Sequence, residues 1–83
     1  MNLPCRVVDG LMPTEKIALV ESAEGQIEEI TVSKENLIGD SLVADEIGRQ
    51  EGKILVELPR ETASGSWRIW VKDSTLRPSA VGA

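Results

Sequence analysis

The sequence predicts an all-β domain: a small, six-stranded, mostly antiparallel barrel made of two like βββ halves, each closed by a short helical turn. Short runs rich in Val, Ile and Leu recur at close, fairly even spacing, with Gly, Pro, Asn or Asp between them. No stretch of ten or more residues sets apolar side chains at helical spacing. Shifting the chain by 36 residues lays Leu19-Val20-Glu21 on Leu55-Val56-Glu57.

The first strand is expected at Cys5 to Val8, stopped by the turn pair Asp9-Gly10 and by Met12-Pro13. Lys16 to Ser22 and Gln26 to Val32 form an expected antiparallel hairpin, because only Ala23-Glu24-Gly25 separates them. Ser33-Lys34-Glu35-Asn36-Leu37 then reads as one helical turn that opens on a capping residue and ends on a Leu able to plug a barrel mouth. Beyond Gly39-Asp40, a second hairpin joins Ser41 to Ile47 with Lys53 to Leu58 through Gln50-Glu51-Gly52. The polar loop Pro59 to Gly65 leads to a last strand, Ser66 to Lys72, and to a second helical turn, Asp73-Ser74-Thr75-Leu76. One domain is expected over residues 1–78, and the small residues of 79–83 read as a frayed tail.

The 36-residue shift also matches Val7 with Val43, Asp9 with Asp45 and Glu15 with Glu51, making six identities in the 17 positions from Cys5 to Glu21. With a few residues inserted later, Gly25 meets Gly65, Ile30-Thr31-Val32 meets Ile69-Trp70-Val71, and Leu37 meets Leu76. These matches suggest repeats over residues 5–39 and 41–78, each burying the apolar face of the other. Were the first run not a strand, a five-stranded SH3-like barrel is the alternative. That resemblance is one of outline only. Two Trp without Tyr or Phe make a poor match to the aromatic grooves with which SH3 domains hold proline-rich peptides.

Composition narrows the chemistry. The 83 residues include no His and one Cys, so the usual zinc ligand sets, a His-based nucleophile pair and an internal disulfide are all outside the expectation. A net charge of −5 argues against nucleic acid and anionic membrane surfaces as partners. Val, Ile and Leu number 23, enough to support a folded core. The opening residues lack the basic and apolar regions of a signal peptide, and no apolar run is long enough to span a bilayer, so a cytoplasmic setting is the expectation.

Alternation in the last strand sends Trp67, Ile69 and Val71 inward and Arg68, Trp70 and Lys72 outward. An indole between two cations is a candidate binding face, since Trp and Arg concentrate where interfaces derive their energy. The bland reading of Trp70 is cover from the Pro59 to Gly65 loop or packing on a cross-strand neighbour. Glu21, Glu24, Glu28 and Glu29 form an acidic face in the first half, where the second half is basic. That polarity suggests self-association between an acidic and a basic strand. No loop has the Asp and Gly spacing of a calcium site, so neither a metal nor a cofactor is expected. Cys5 precedes Arg6, a cation able to lower its pKa, yet it begins a β run and reads as a small strand residue. The functional expectation is a noncatalytic protein-interaction or assembly module, possessing a protein partner or forming a homo-oligomer. The alternative is a small-ligand-binding or enzyme subunit with its site at an oligomer interface.

Overall fold

The computed structural model describes residues 2–76; the tail expected at 79–83 lies outside them. The chain is all-β, with strands β1 (Asn2–Pro4), β2 (Arg6–Asp9), β3 (Glu15–Glu21), β4 (Ile27–Ser33), β5 (Leu37–Ile38), β6 (Ser41–Val43), β7 (Asp45–Gln50), β8 (Lys53–Glu57) and β9 (Arg68–Lys72). Single 3-10 turns occupy Lys34–Asn36 and Asp73–Thr75, as the capping residues and the terminal Leu predict. The strands make three antiparallel sheets of three, in the orders β2-β3-β4, β7-β8-β9 and β1-β6-β5. No continuous ring of pairing closes among the described residues.

Nine strands replace the expected six, because the run from Ser41 divides between two sheets and Asn2–Pro4 and Leu37–Ile38 add two short strands. At Cys5 the amide turns to the Asp40 carbonyl at 3.0 Å, so β1 pairs with β6 while β2 pairs with β3. At Ala44 the run from Ser41 divides likewise, β6 pairing with β1 and β7 with β8. Strand β7 also continues past its expected end, and a bulge between Glu46 and Gly48 leaves Ile47 exposed.

Alternation sets the core. Ala18 and Val20 of β3, Ile30 and Val32 of β4, Ile54 and Val56 of β8, and Ile69 and Val71 of β9 all point inward, and Leu3 and Leu42 join them from the third sheet. All three sheets therefore share one aliphatic cluster, with Cys5, Leu37 and Leu76 packed at its margin. Full burial of each larger side chain contributes about 1.5–3 kcal/mol relative to exposure, the main stabilising term in so small a domain.

Two loops are wired alike. The Ser22 amide donates to the Gln26 carbonyl at 2.8 Å, Gly25 donates to the Ser22 carbonyl at 2.9 Å, and the Gln26 amide donates to Ser22 Oγ at 3.1 Å. Thr62, Gly65 and Ser66 repeat this set at 2.8, 2.9 and 3.0 Å, with Thr62 Oγ1 as the side-chain acceptor. Gly25 and Gly65 sit at φ of +85° and +93°, backbone geometry that a side chain would strain. Each loop also reaches the other half: the Ala23 amide donates to the Trp70 carbonyl and the Ala63 amide to the Glu29 carbonyl, both at 2.8 Å. The outer edges of β4 and β9 are thereby partly covered.

The register of the third sheet differs from the 36-residue shift. Asn2 pairs with Val43, Leu3 with Leu42 and Pro4 with Ser41, while Val7 pairs with Ala18. Val43 thus occupies a strand of a different sheet from Val7, and the two are not counterparts in pairing.

Candidate functional site

The predicted basic face is present as a strand face, but its three members have separate surroundings. Ile69 and Val71 are buried and Arg68 and Lys72 exposed, as alternation requires. Trp67 corrects the expectation: it precedes β9 and is 53% exposed instead of lying in the core. Its carbonyl accepts the Leu58 amide at 2.9 Å, outside the β8–β9 ladder that fixes the alternation.

Trp70 is half-buried opposite Leu55, and with Glu24, Gln50, Glu51 and Lys53 it lines a shallow pocket of ≈ 170 Å³. The Ser22–Gln26 loop reaches this strand position, the Ala23 amide donating to the Trp70 carbonyl at 2.8 Å. Arg68 donates from Nε and Nη2 to Glu57 Oε2 at 3.3 and 3.2 Å, across the strand pair that joins them. Both side chains are largely exposed, so this ion pair is worth under about 1 kcal/mol. Lys72 stands opposite Lys53 and forms no ion pair among the described residues.

The four acids of the first half do not converge. Glu24 reaches toward Lys53 at 3.9 Å, Glu28 accepts the Ser64 hydroxyl at 3.1 Å, and Glu29 is exposed on the opposite face of β4 from Glu28. Glu21 lies at the end of β3. Among the described residues no group of three or more Cys, Asp or Glu side chains could hold a metal ion.

Glu21 and Lys72 meet instead across a groove of ≈ 490 Å³, whose lining also includes Arg6, Leu19, Ile27 and Cys5. Register explains the convergence. Arg6 is the cross-strand partner of Leu19, and Glu21 is the partner of Ile27, so these four side chains crown one end of the first sheet. The sheet change at Cys5 and the end of β9 supply the walls. Arg6 forms no ion pair among the described residues, like Lys72, while Ile27 is 61% exposed. The groove combines apolar carbon with two unneutralised cations and one carboxylate.

Cys5 contradicts the idea of a cation-activated thiol. Burial raises its pKa and the Asp40 carboxylate adds to that, outweighing a backbone hydrogen bond from Leu42. Its Sγ donates to the Asp40 carbonyl at 3.5 Å. Iodoacetamide at pH 8 should alkylate Cys5 at least about threefold more slowly than free cysteine, since the thiolate is the nucleophile. Equal rates, followed by mass spectrometry, would show an accessible, unperturbed thiol.

At the far end of β2 the chain makes a second exposed apolar feature. The Gly10 amide donates to the Glu15 carbonyl at 3.1 Å and the Glu15 amide to the Met12 carbonyl at 3.0 Å, closing a tight loop. Leu11 at its tip is 98% exposed and Met12 59%. The sequence marks Met12-Pro13 as a turn but carries no sign that both apolar side chains face outward. At its base Lys16 Nζ donates to Asp9 Oδ1 at 2.8 Å, which holds the Asp9 carboxyl below the usual carboxylate range.

Among the described residues no helix is long and apolar enough to cross a membrane. Comparison of the chain with protein-family models, curated proteins and solved structures gives no match.

Proposed function

We propose that the chain is a noncatalytic assembly module whose groove receives an extended partner segment combining an apolar side chain with a carboxylate. The observation that carries this reading is the pair of cations without ionic partners among the described residues, Arg6 and Lys72, beside the exposed carbon of Ile27. A cation left unneutralised in a chain of net charge −5 favours an incoming anion, and a neighbouring apolar surface favours a side chain that water excludes. Of the face Arg68, Trp70 and Lys72, this reading gives the binding role to Lys72. Arg68 is engaged with Glu57, and Trp70 is half-buried opposite Leu55.

The same reading treats the fold as two like units that bury each other. Support comes from the third sheet, where Leu3 faces Leu42 with Asn2 on Val43 and Pro4 on Ser41, the pairing expected of two equivalent strands about a two-fold axis. The matched loops Ser22–Gln26 and Thr62–Ser66 support it too, as do the matched 3-10 turns before Leu37 and Leu76. On that axis the equivalence runs through Leu3 and Leu42, not through the Val7 and Val43 of a 36-residue shift.

The test is a titration of the isotopically labelled chain with the synthetic peptide acetyl-Glu-Leu-Asp-Ile-Glu-amide, followed by amide NMR shifts. Shifts should concentrate at Arg6, Leu19, Ile27 and Lys72. The Lys72→Glu variant should bind at least about tenfold more weakly, because a like charge replaces an attractive one. A peptide with Ser in place of Leu and Ile should also bind more weakly. Shifts spread evenly over the surface, or none at the groove, would overturn the reading.

A further inference from the structure

Resting on that reading, we infer that the segment received by the groove is the Gly10 to Thr14 loop of a second copy of this chain, in a head-to-tail contact. The two features complement each other. Leu11 and Met12 project from the loop as exposed apolar side chains, while the groove offers a recess of ≈ 490 Å³ bordered by Leu19 and Ile27. Asp9 and Glu15 flank the loop, and Arg6 and Lys72 flank the groove. Asp9 gives Oδ1 to Lys16, and with its side chain 89% exposed its carboxylate stays accessible to an incoming cation. Lys16 in turn brings a positive charge to the base of the loop, where Glu21 of the receiving groove can meet it.

The contact must be between molecules. Arg6 begins β2 and Asp9 ends it, so the groove and the loop lie at opposite ends of one strand. A strand rises about 3.3 Å per residue and does not fold back on itself, which carries the loop away from its own groove. Loop and groove are different surfaces, so the contact is heterologous and propagates into a ring or a short filament instead of stopping at a two-fold dimer. A single loop in a single groove buries less area than a stable interface, so the association belongs in the weak, concentration-dependent class.

Sedimentation of the full chain and of two variants tests the inference. The weight-average mass of the wild type should at least double between about 10 μM and 1 mM, as a weak head-to-tail contact requires. Leu11→Asp spoils the loop and Lys72→Glu spoils the groove, and each variant alone should remain monomeric at the higher concentration. Mixed in equal amounts, they should form a complex of one chain each, since the first keeps its groove and the second its loop. Both substitutions lie at exposed positions, and an unchanged circular dichroism spectrum and melting temperature would establish that the variants fold; Leu11→Ser provides a second loop variant. A monomeric wild type at 1 mM overturns the inference, as does a mixture that forms no complex. If that same wild type still takes the acidic peptide at the groove, the proposed function stands and the occupant is a different protein.

Discussion

Leu42→Ala should lower the unfolding free energy by about 2–5 kcal/mol, measured by urea denaturation. Leu42 is fully buried, pairs with Leu3 on one side and with Leu37 on the other, and so holds the middle of the β1-β6-β5 sheet. Truncation removes its transfer free energy and leaves a cavity between β1 and β5 that both strands would have to fill. Domains of this size have total stabilities of about 5–15 kcal/mol, so the loss is a large share of what holds the chain folded. Leu42→Met keeps most of the volume and should cost under about 1.5 kcal/mol. A Leu42→Ala loss under about 1 kcal/mol would mean that this side chain is not central to the core, against the register described.

Gly10→Ala should cost about 1–3 kcal/mol for a different reason, since the position is crowded instead of hollow. A β-carbon there would stand 2.9 Å from Glu15 Cβ and 3.1 Å from the Glu15 carbonyl oxygen. The carbonyl belongs to the backbone that accepts the Gly10 amide, so relief requires the ends of β2 and β3 to separate. Hydrogen exchange at the Gly10 amide should accelerate along with the loss of stability, and head-to-tail association should weaken because Leu11 and Met12 lose their platform. Unchanged exchange and unchanged stability would show that the loop gives way freely.

Much of the sheet structure was legible because alternation is a local pattern. In Arg68–Lys72 the buried Ile69 and Val71 follow from alternation, whereas Ile17-Ala18-Leu19-Val20 and Ile54-Leu55-Val56 are apolar on both faces and leave the inward face to be chosen by packing. The turn residues are equally local. The sheet changes at Cys5 and Ala44 are not, since a single residue that redirects its backbone has no compositional mark. Asn2–Pro4 and Leu37–Ile38 escaped because each is too short to show a period: the first is a strand through a partner about forty residues away, the second through the tight turn that brings it onto Ser41 and Leu42. Trp67 was misplaced when the alternation of β9 was carried one position beyond the ladder.

The candidate groove divides in the same way. Lys72 was accessible to sequence reasoning as an outward-facing strand residue, and Glu21 as a member of the acidic face. Arg6, Leu19 and Ile27 were not, because their convergence depends on which strands become neighbours. That selection is made by pairing across the whole chain, and no window of a few residues contains it.

The reciprocal bonds from Ala23 to Trp70 and from Ala63 to Glu29 bear on how the molecule is reached from its unfolded state. Together with the Leu3–Leu42 pair, they join segments about forty residues apart, so chain entropy must be lost before these contacts can repay it. A hairpin formed early by either half would remain incomplete, with its edge and its apolar side open. The slow event in folding is then the meeting of two nascent hairpins, and the barrier belongs to the route between the halves more than to either of them.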